Sequence, residues 1–343
     1  MNLRRVVFQH PFRVGVEELP PPTPKPDQLL VEVRLSAISP GTEMLVYRDQ
    51  WPHGVTMDAT LVALCGSFRY PLSYGYAVVG RVLAQGAEVS GNWLGKRVFA
   101  FHPHASLLTA NPEALYPIPD DIDDETALLL PSMETAVTLL LDGAPLLGEK
   151  VVVSGQGIVG LLTTALLSRF PLSSLITLEC HAKRREASRR LGATLALDPR
   201  EIGVLEGMGS ADGCGGEADL VYELSGNPEA LQTAISLTRF SGRVVVGSWY
   251  GDKKVDLDLG SFFHRGRLTL ISSQVSTIAP ALSGRWQGAR RIAMTWEFLR
   301  QVQPASLITH RLPLSGAAQA YDLIDRSPGE TIQVILEYGQ TAG

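Results

Sequence analysis

The chain has 343 residues, enough for two domains of ordinary size, and its 45% hydrophobic and 19% charged content suits sizeable cores rather than disorder. A net charge of −5 offers no basic field for nucleic acid or an anionic membrane. The three scattered cysteines, Cys65, Cys180 and Cys214, make no disulfide framework and suit a reducing cytoplasm. No apolar run approaches the length of a spanning helix, and the first residues lack the apolar stretch of a signal peptide.

Residues 1 to 130 read as mostly β. Val6-Val7-Phe8 is a short strand, Leu19 to Pro26 a proline-rich surface connection, and Leu29 to Leu35 an alternating, half-buried strand. The loop Ser39-Pro40-Gly41-Thr42-Glu43 opens a helix at Thr42 or Glu43. Arg48 to Thr60 is aromatic and irregular, a surface or lid segment. Strands return at Tyr74–Val82 and after the turn Gly95-Lys96. The acidic cluster Asp120 to Glu125 reads as capping for the apolar helix Ala127–Leu141 rather than as a metal site.

From there, strand-like and helix-like segments alternate. The strands are Val151–Val153, Leu175–Leu178, Leu220–Glu223, Arg243–Gly247 and Leu268–Ser273; the helices are Leu161–Leu167, Lys183–Leu191 and Pro228–Leu237. Such alternation predicts an α/β fold, a doubly wound parallel sheet with helices on both faces. The tail adds helices at Ile292–Val302 and Gly316–Asp325 and a strand at Ile332–Leu336.

The most informative stretch is Val151 to Gly160. A β-branched run feeds into Gly155, Gly157 and Gly160 at the spacing G-x-G-x-x-G and then into an apolar helix. The first glycine permits the tight turn, the second lets a pyrophosphate approach bare backbone, and the third lets helix and strand pack closely. Gly155, Gln156, Gly157, Ile158 and Val159 would then present N–H groups to the diphosphate at a helix N-terminus. Glu179 closes the next strand about 20 residues on, where the pattern calls for an acidic residue on the adenosine ribose.

The order of β-rich region, G-T-E loop, G-Y-A-V-V-G segment, G-K-R-V turn, nucleotide fold and returning tail resembles the medium-chain dehydrogenase/reductase superfamily, the alcohol dehydrogenase-like fold. Leu224 to Leu231 and Ser241 to Gly247 are similar to its segments after the fourth nucleotide-domain strand. The resemblance implies a GroES-like catalytic domain from residues 1–132 and 273–343, a Rossmann domain from 133–272, an interdomain cleft as active site, and a homodimer through the sixth strand. Zinc members carry a cysteine before G-T-D and a G-H-E motif. Here those positions read Pro40, Tyr76 and Ala77, and a third ligand position near Glu134 cannot hold an ion alone. The resemblance therefore implies a zinc-free oxidoreductase, and the Ser39–Glu43 loop is similar to the branch that includes bacteriochlorophyllide dehydrogenase. His102 and His104 read as surface or substrate-pocket residues, not metal ligands.

The implied chemistry is hydride transfer between a nicotinamide and an alcohol/carbonyl pair. The alternatives are reduction of an activated C=C bond and nucleotide binding without turnover. Thr42 matches a hydroxyl that relays a proton, or serves as an N-cap. Tyr76 either donates to the substrate oxygen or fills the vacated ligand volume. Glu43 orients groups or accepts a proton, or is a solvated or salt-bridged carboxylate. Thr135 matches a threonine that touches the nicotinamide; Ser225, Gly226, Gly247, Ser248, Ser272 and Ser273 would line the ribose and nicotinamide. Glu179 favours NAD by repelling a 2′-phosphate. Arg184, within Lys183-Arg184-Arg185, would accommodate NADP, or lies on a solvated helix face.

Overall fold

In the computed structural model, residues 2–52, 54–57, 66–201 and 216–339 are described. Parts of the expected lid segment (53 and 58–60), together with Cys65 and Cys214, lie outside them.

In chain order, β1 (Leu3–His10), β2 (Arg13–Leu19) and β3 (Leu29–Ile38) precede the short α1 (Thr42–Tyr47). Then come β4 (Val78–Gln85), β5 (Arg97–Ala100), β6 (Leu107–Ala110), β7 (Leu115–Pro117), α2 (Asp124–Ala127) and α3 (Leu130–Gly143). The nucleotide fold follows as β8 (Lys150–Ser154), α4 (Ile158–Leu167), β9 (Ser174–Leu178), α5 (Ala182–Arg190), β10 (Leu195–Leu197), β11 (Ala218–Glu223), α6 (Glu229–Leu237), β12 (Thr238–Val246) and β13 (Thr269–Ser272). The chain closes with α7 (Gly288–Val302), β14 (Ile308–Pro313), α8 (Ala317–Arg326) and β15 (Gln333–Glu337).

These elements form two units, Met1–Pro131 with Gln303–Gly343, and Ser132–Val302. The first holds a seven-stranded sheet in the order β14-β15-β3-β4-β5-β7, with β6 also on β3. β15 runs antiparallel to β3, Val334 opposite Ile38, which ties the C-terminal tail to the N-terminal sheet. α8 buries Ala317, Ala320, Tyr321 and Ile324, the i, i+3, i+4, i+7 stripe of an amphipathic helix, and so directs Tyr321 into this core. The acidic cluster does cap a helix, but the short α2 rather than the long apolar helix expected from Ala127: Asp123 accepts the Thr126 N–H at 2.7 Å, and α3 starts only at Leu130.

The second unit is a six-stranded parallel sheet in the order β10-β9-β8-β11-β12-β13. That is the 3-2-1-4-5-6 order of a Rossmann fold, whose switch point lies between β8 and β11. Successive strand residues face opposite sides. Val152, Val221 and Val244 enter one core, whereas Val151, Val153, Leu220, Tyr222 and Val245 enter the other. Burial on both faces explains why these strands are continuous apolar runs rather than alternating ones.

One boundary differs from the expectation. Residues 273–302 belong with the nucleotide fold, not with the catalytic domain. Ser273 Oγ donates to Asp142 Oδ2 at 2.6 Å, and Arg291 on α7 pairs with Glu134 on α3 at 2.8 Å, so side chains of α3 hold this segment.

Candidate active site

At the switch point, β8 ends in the glycine loop. Gly155 has φ +90, and its N–H donates to Leu178 O at 2.8 Å. A Cβ on Gly160 would stand 2.0 Å from the Gly155 carbonyl oxygen, so only glycine lets α4 start this close to the turn. A Cβ on Gly157 would meet nothing within 4 Å. The loop is thus packed at Gly160 and open at Gly157, the residue that N-caps α4. Ile158 and Val159 begin that helix, where backbone N–H groups lack intrahelical partners. The Gln156 side chain turns inward, accepting from Thr164 Oγ1 at 3.0 Å, so it presents backbone rather than amide to the loop's open face.

Glu179 is buried at the end of β9. Its Oε2 accepts the Gln156 N–H at 2.9 Å and its Oε1 the His181 N–H at 2.9 Å. The carboxylate therefore fixes the glycine loop while keeping lone pairs for further donors. Arg184 Nη1 lies 3.9 Å from Glu179 Oε2, and Arg185 pairs with Asp198 at 2.9 Å. Arg184 and Arg185 are thus half-buried and ion-paired rather than on a solvated helix face, while Lys183 is exposed.

A second carboxylate, absent from the expectations, organises the other strand ends. Glu223 closes β11 and is completely buried. Its Oε1 accepts the Ser225 N–H at 2.8 Å and the Ser225 hydroxyl; its Oε2 accepts from the Tyr250 hydroxyl at 2.5 Å. Burial and this carboxylate push the Tyr250 phenol well above the ordinary tyrosine range. Gly226 N–H donates to Ser248 Oγ at 2.9 Å, which locks the two loops together. The sequence signal was there: an apolar strand ending in glutamate, as in β9. Gly247 packs against Leu139 and Leu224 side chains, Ser272 ends β13, and Ser273 is held on Asp142. Thr135 is half-buried on α3. Glu179→Gln keeps an acceptor for Gln156 and removes the charge. NADPH binding is expected to gain on NADH binding by roughly tenfold, read from paired titrations.

The proposed chemistry-bearing residues of the first unit also gather. Thr42 is the first residue of α1; the cap position is Gly41, with no side-chain bond, so the threonine hydroxyl is not spent on capping. Tyr76 donates to Ser39 Oγ at 2.6 Å, and its phenol is raised above the ordinary value by burial, with Ser39 and Thr42 pulling it down. Glu43 is not solvated. It is fully buried, and its Oε2 lies 2.9 Å from His104 Nε2. His104, expected at the surface or in a pocket, is likewise fully buried. His102 donates from Nδ1 to Pro103 O at 2.8 Å, and burial holds its imidazole below the ordinary histidine range.

The donor set does not fit a catalytic zinc at the positions that zinc members use. Pro40 and Ala77 carry no ligand atom, and the Tyr76 phenol is protonated and bonded to Ser39. Glu134 is taken by Arg291 at 2.8 and 3.0 Å. Among the described residues no three His, Cys, Asp or Glu side chains group so as to hold a metal.

Residues 159–293 match the family model described as zinc-binding dehydrogenase. Over 356 residues the chain is 23% identical to an L-threonine 3-dehydrogenase of Stenotrophomonas maltophilia, covering 95% of this chain and 96% of that protein. Its fold is similar to that of 2R,3R-butanediol dehydrogenase from Bacillus subtilis, with a TM-score of 0.79 and 16% identity over 98% of this chain and all of that one. It is also similar to an alcohol dehydrogenase from Escherichia coli CFT073 complexed with NADH, with a TM-score of 0.78 and 18% identity over 98% and 99% of the two chains. No helix among the described residues is long and apolar enough to cross a membrane.

Proposed function

We propose that this chain, a relative of the medium-chain, zinc-binding-type dehydrogenases, is an NAD(P)-dependent oxidoreductase that moves a hydride between the nicotinamide and an alcohol/carbonyl pair without a catalytic zinc. One observation carries the nucleotide half of the reading. The Glu179 carboxylate is bonded to the backbone of the glycine loop at the switch point, beside an open Gly157. A diphosphate would meet the N–H groups at the start of α4, and the adenosine ribose would meet Glu179. The same carboxylate favours NAD over a 2′-phosphorylated cofactor.

The zinc-free half rests on donor chemistry. Hydride transfer needs a group that stabilises the substrate oxygen as its charge develops. Among the zinc members a metal supplies this. In this chain we assign it to the Tyr76 hydroxyl, with Thr42 and Ser39 beside it. The raised phenol keeps its single proton at neutral pH; that proton goes to Ser39 Oγ in the free protein, and the assigned role has the hydroxyl turn it to the substrate oxygen while Ser39 donates in its place. The Ser39-Pro40-Gly41-Thr42-Glu43 loop supports placing the chain in a zinc-free branch. The test is NAD-coupled oxidation of a panel of secondary alcohols, beginning with L-threonine and 2R,3R-butanediol, followed by nicotinamide absorbance. Tyr76→Phe is expected to lower kcat about 100-fold with far less change in KM, the loss of one positioned proton donor. An unchanged kcat would remove Tyr76 from the mechanism.

A further inference from the structure

The residue before Tyr76 is Gly75, at φ +111. A Cβ there would lie 2.6 Å from both Cδ2 and Nε2 of His104, so the imidazole lies directly against the Gly75 backbone. The His104 N–H also donates to Tyr74 O at 3.3 Å. The same imidazole reaches two further groups. Its Nε2 is 2.9 Å from Glu43 Oε2, and its Nδ1 is 2.7 Å from Ser36 Oγ, itself 3.0 Å from the Tyr338 hydroxyl. Glu43 Oε1 accepts the Ser39 N–H at 2.8 Å, and the Tyr321 hydroxyl donates to Oε2. Glu43, His104, Ser36 and Tyr321 have no exposed surface.

Three segments meet here, 39–43, 74–76 and the one carrying His104, whose backbone N–H bonds Tyr74 O and whose ring lies on Gly75. The Tyr76 hydroxyl on Ser39 Oγ is one junction, and Glu43 with His104 is the other. We propose that Glu43 and His104 form a buried carboxylate–imidazole clamp, doing the job of joining loops 39–43 and 74–76 that a metal would do, and that this clamp sets the position of the Tyr76 hydroxyl. Both are positioning residues. Neither has surface through which a substrate could reach it, so Glu43 is not the proton acceptor for substrate. A fully buried, fully bonded polar cluster is rigid, and each of its members fixes the others. The assignment of Tyr76 to the substrate oxygen rests on the oxidoreductase reading; the clamp itself does not.

The test needs no substrate. In the full-length chain, the ionisation of Tyr76 is read as the ultraviolet absorbance difference between each protein and its Tyr76→Phe counterpart. The proteins are the native chain, Glu43→Gln, His104→Gln, and the double variant, in which the two amides can bond to each other. In each single variant Tyr76 is expected to ionise about one pH unit closer to an ordinary tyrosine, as the loops part and water enters. The double variant is expected to recover at least half of that shift. NADH binding in the other unit should be unchanged in all of them. Should His104→Gln not fold, His104→Asn carries the test, because it breaks the bond to Glu43 and leaves in place the Glu43 charge, which itself raises the Tyr76 phenol. A Tyr76 titration that is the same in the native chain and the folded single variants overturns the clamp, as does a double variant whose shift is the sum of the two. Failure of the native chain to bind NADH would sink the oxidoreductase reading and leave the phenol titration as it stands.

Discussion

Glu43→Leu is expected to destabilise the β-rich unit by roughly 3–5 kcal/mol, the scale for leaving two or three buried polar groups without their acceptor. The reason is what the carboxylate leaves behind. His104 Nε2, the Tyr321 hydroxyl and the Ser39 N–H would all lose their acceptor. Each buried orphan costs about 1–3 kcal/mol, and His104 and Tyr321 have no surface through which water could replace the bond, whereas Ser39 is half-buried. Leucine restores apolar volume but no acceptor. Glu43→Gln keeps one acceptor oxygen and is expected to cost only about 1–2 kcal/mol. Urea unfolding of the three proteins measures this. A loss under about 1 kcal/mol for Glu43→Leu would mean that the cluster is already solvated and does not fix the loops.

The glycine loop gives the second large effect, and a matched pair of substitutions separates packing from binding. Gly160→Ala puts a methyl group 2.0 Å from the Gly155 carbonyl oxygen, which is backbone and cannot swing away. The turn must open, at a cost of about 1–3 kcal/mol. If that turn holds the diphosphate as proposed, NADH binding is expected to weaken by about 10- to 100-fold, and thermal stability to fall with it. Gly157→Ala differs. Its methyl group meets nothing within 4 Å in the free protein, and its φ of −69 suits alanine. Stability should change by well under about 1 kcal/mol, the scale of a lost glycine cap. NADH affinity should nevertheless fall about tenfold or more, because the methyl group stands where the pyrophosphate would approach. Equal loss of stability in both variants would show that Gly157 is only structural, and retained NADH binding in Gly157→Ala would move the diphosphate elsewhere.

These contrasts show which parts of the molecule were legible in the amino-acid sequence. The parallel sheet was, because both-face burial writes each of its main strands as a compact apolar run. β10 was missed since three residues carry no pattern, and β2 because Arg13–Leu19 alternates weakly with charged positions. The glycine loop and Glu179 were legible because their spacing is local. Glu223 was not singled out, although it ends its strand as Glu179 does, because no spacing rule points to it. The Glu43 cluster was illegible for a plainer reason. Its partners His104 and Tyr321 lie 61 and 278 positions away, and only the folding of β15 onto β3 and of α8 onto the same core brings them in. An isolated histidine in Phe101-His102-Pro103-His104 gives no sign that it will be fully buried. The domain boundary shifted for a similar reason. Asp142 and Glu134, both on α3, capture Ser273 and Arg291 from more than a hundred positions downstream.

The most direct test of the central claim is a fluorescence titration of the purified chain with NADH and NADPH, with zinc measured on the same sample. The account predicts saturable NADH binding, tighter than NADPH, in protein that holds no stoichiometric zinc and whose NADH binding is unchanged by a chelator. Stoichiometric zinc that the chelator removes together with activity would contradict the role given to Tyr76. Failure to bind either nucleotide would contradict the reading of the glycine loop on which the whole account stands.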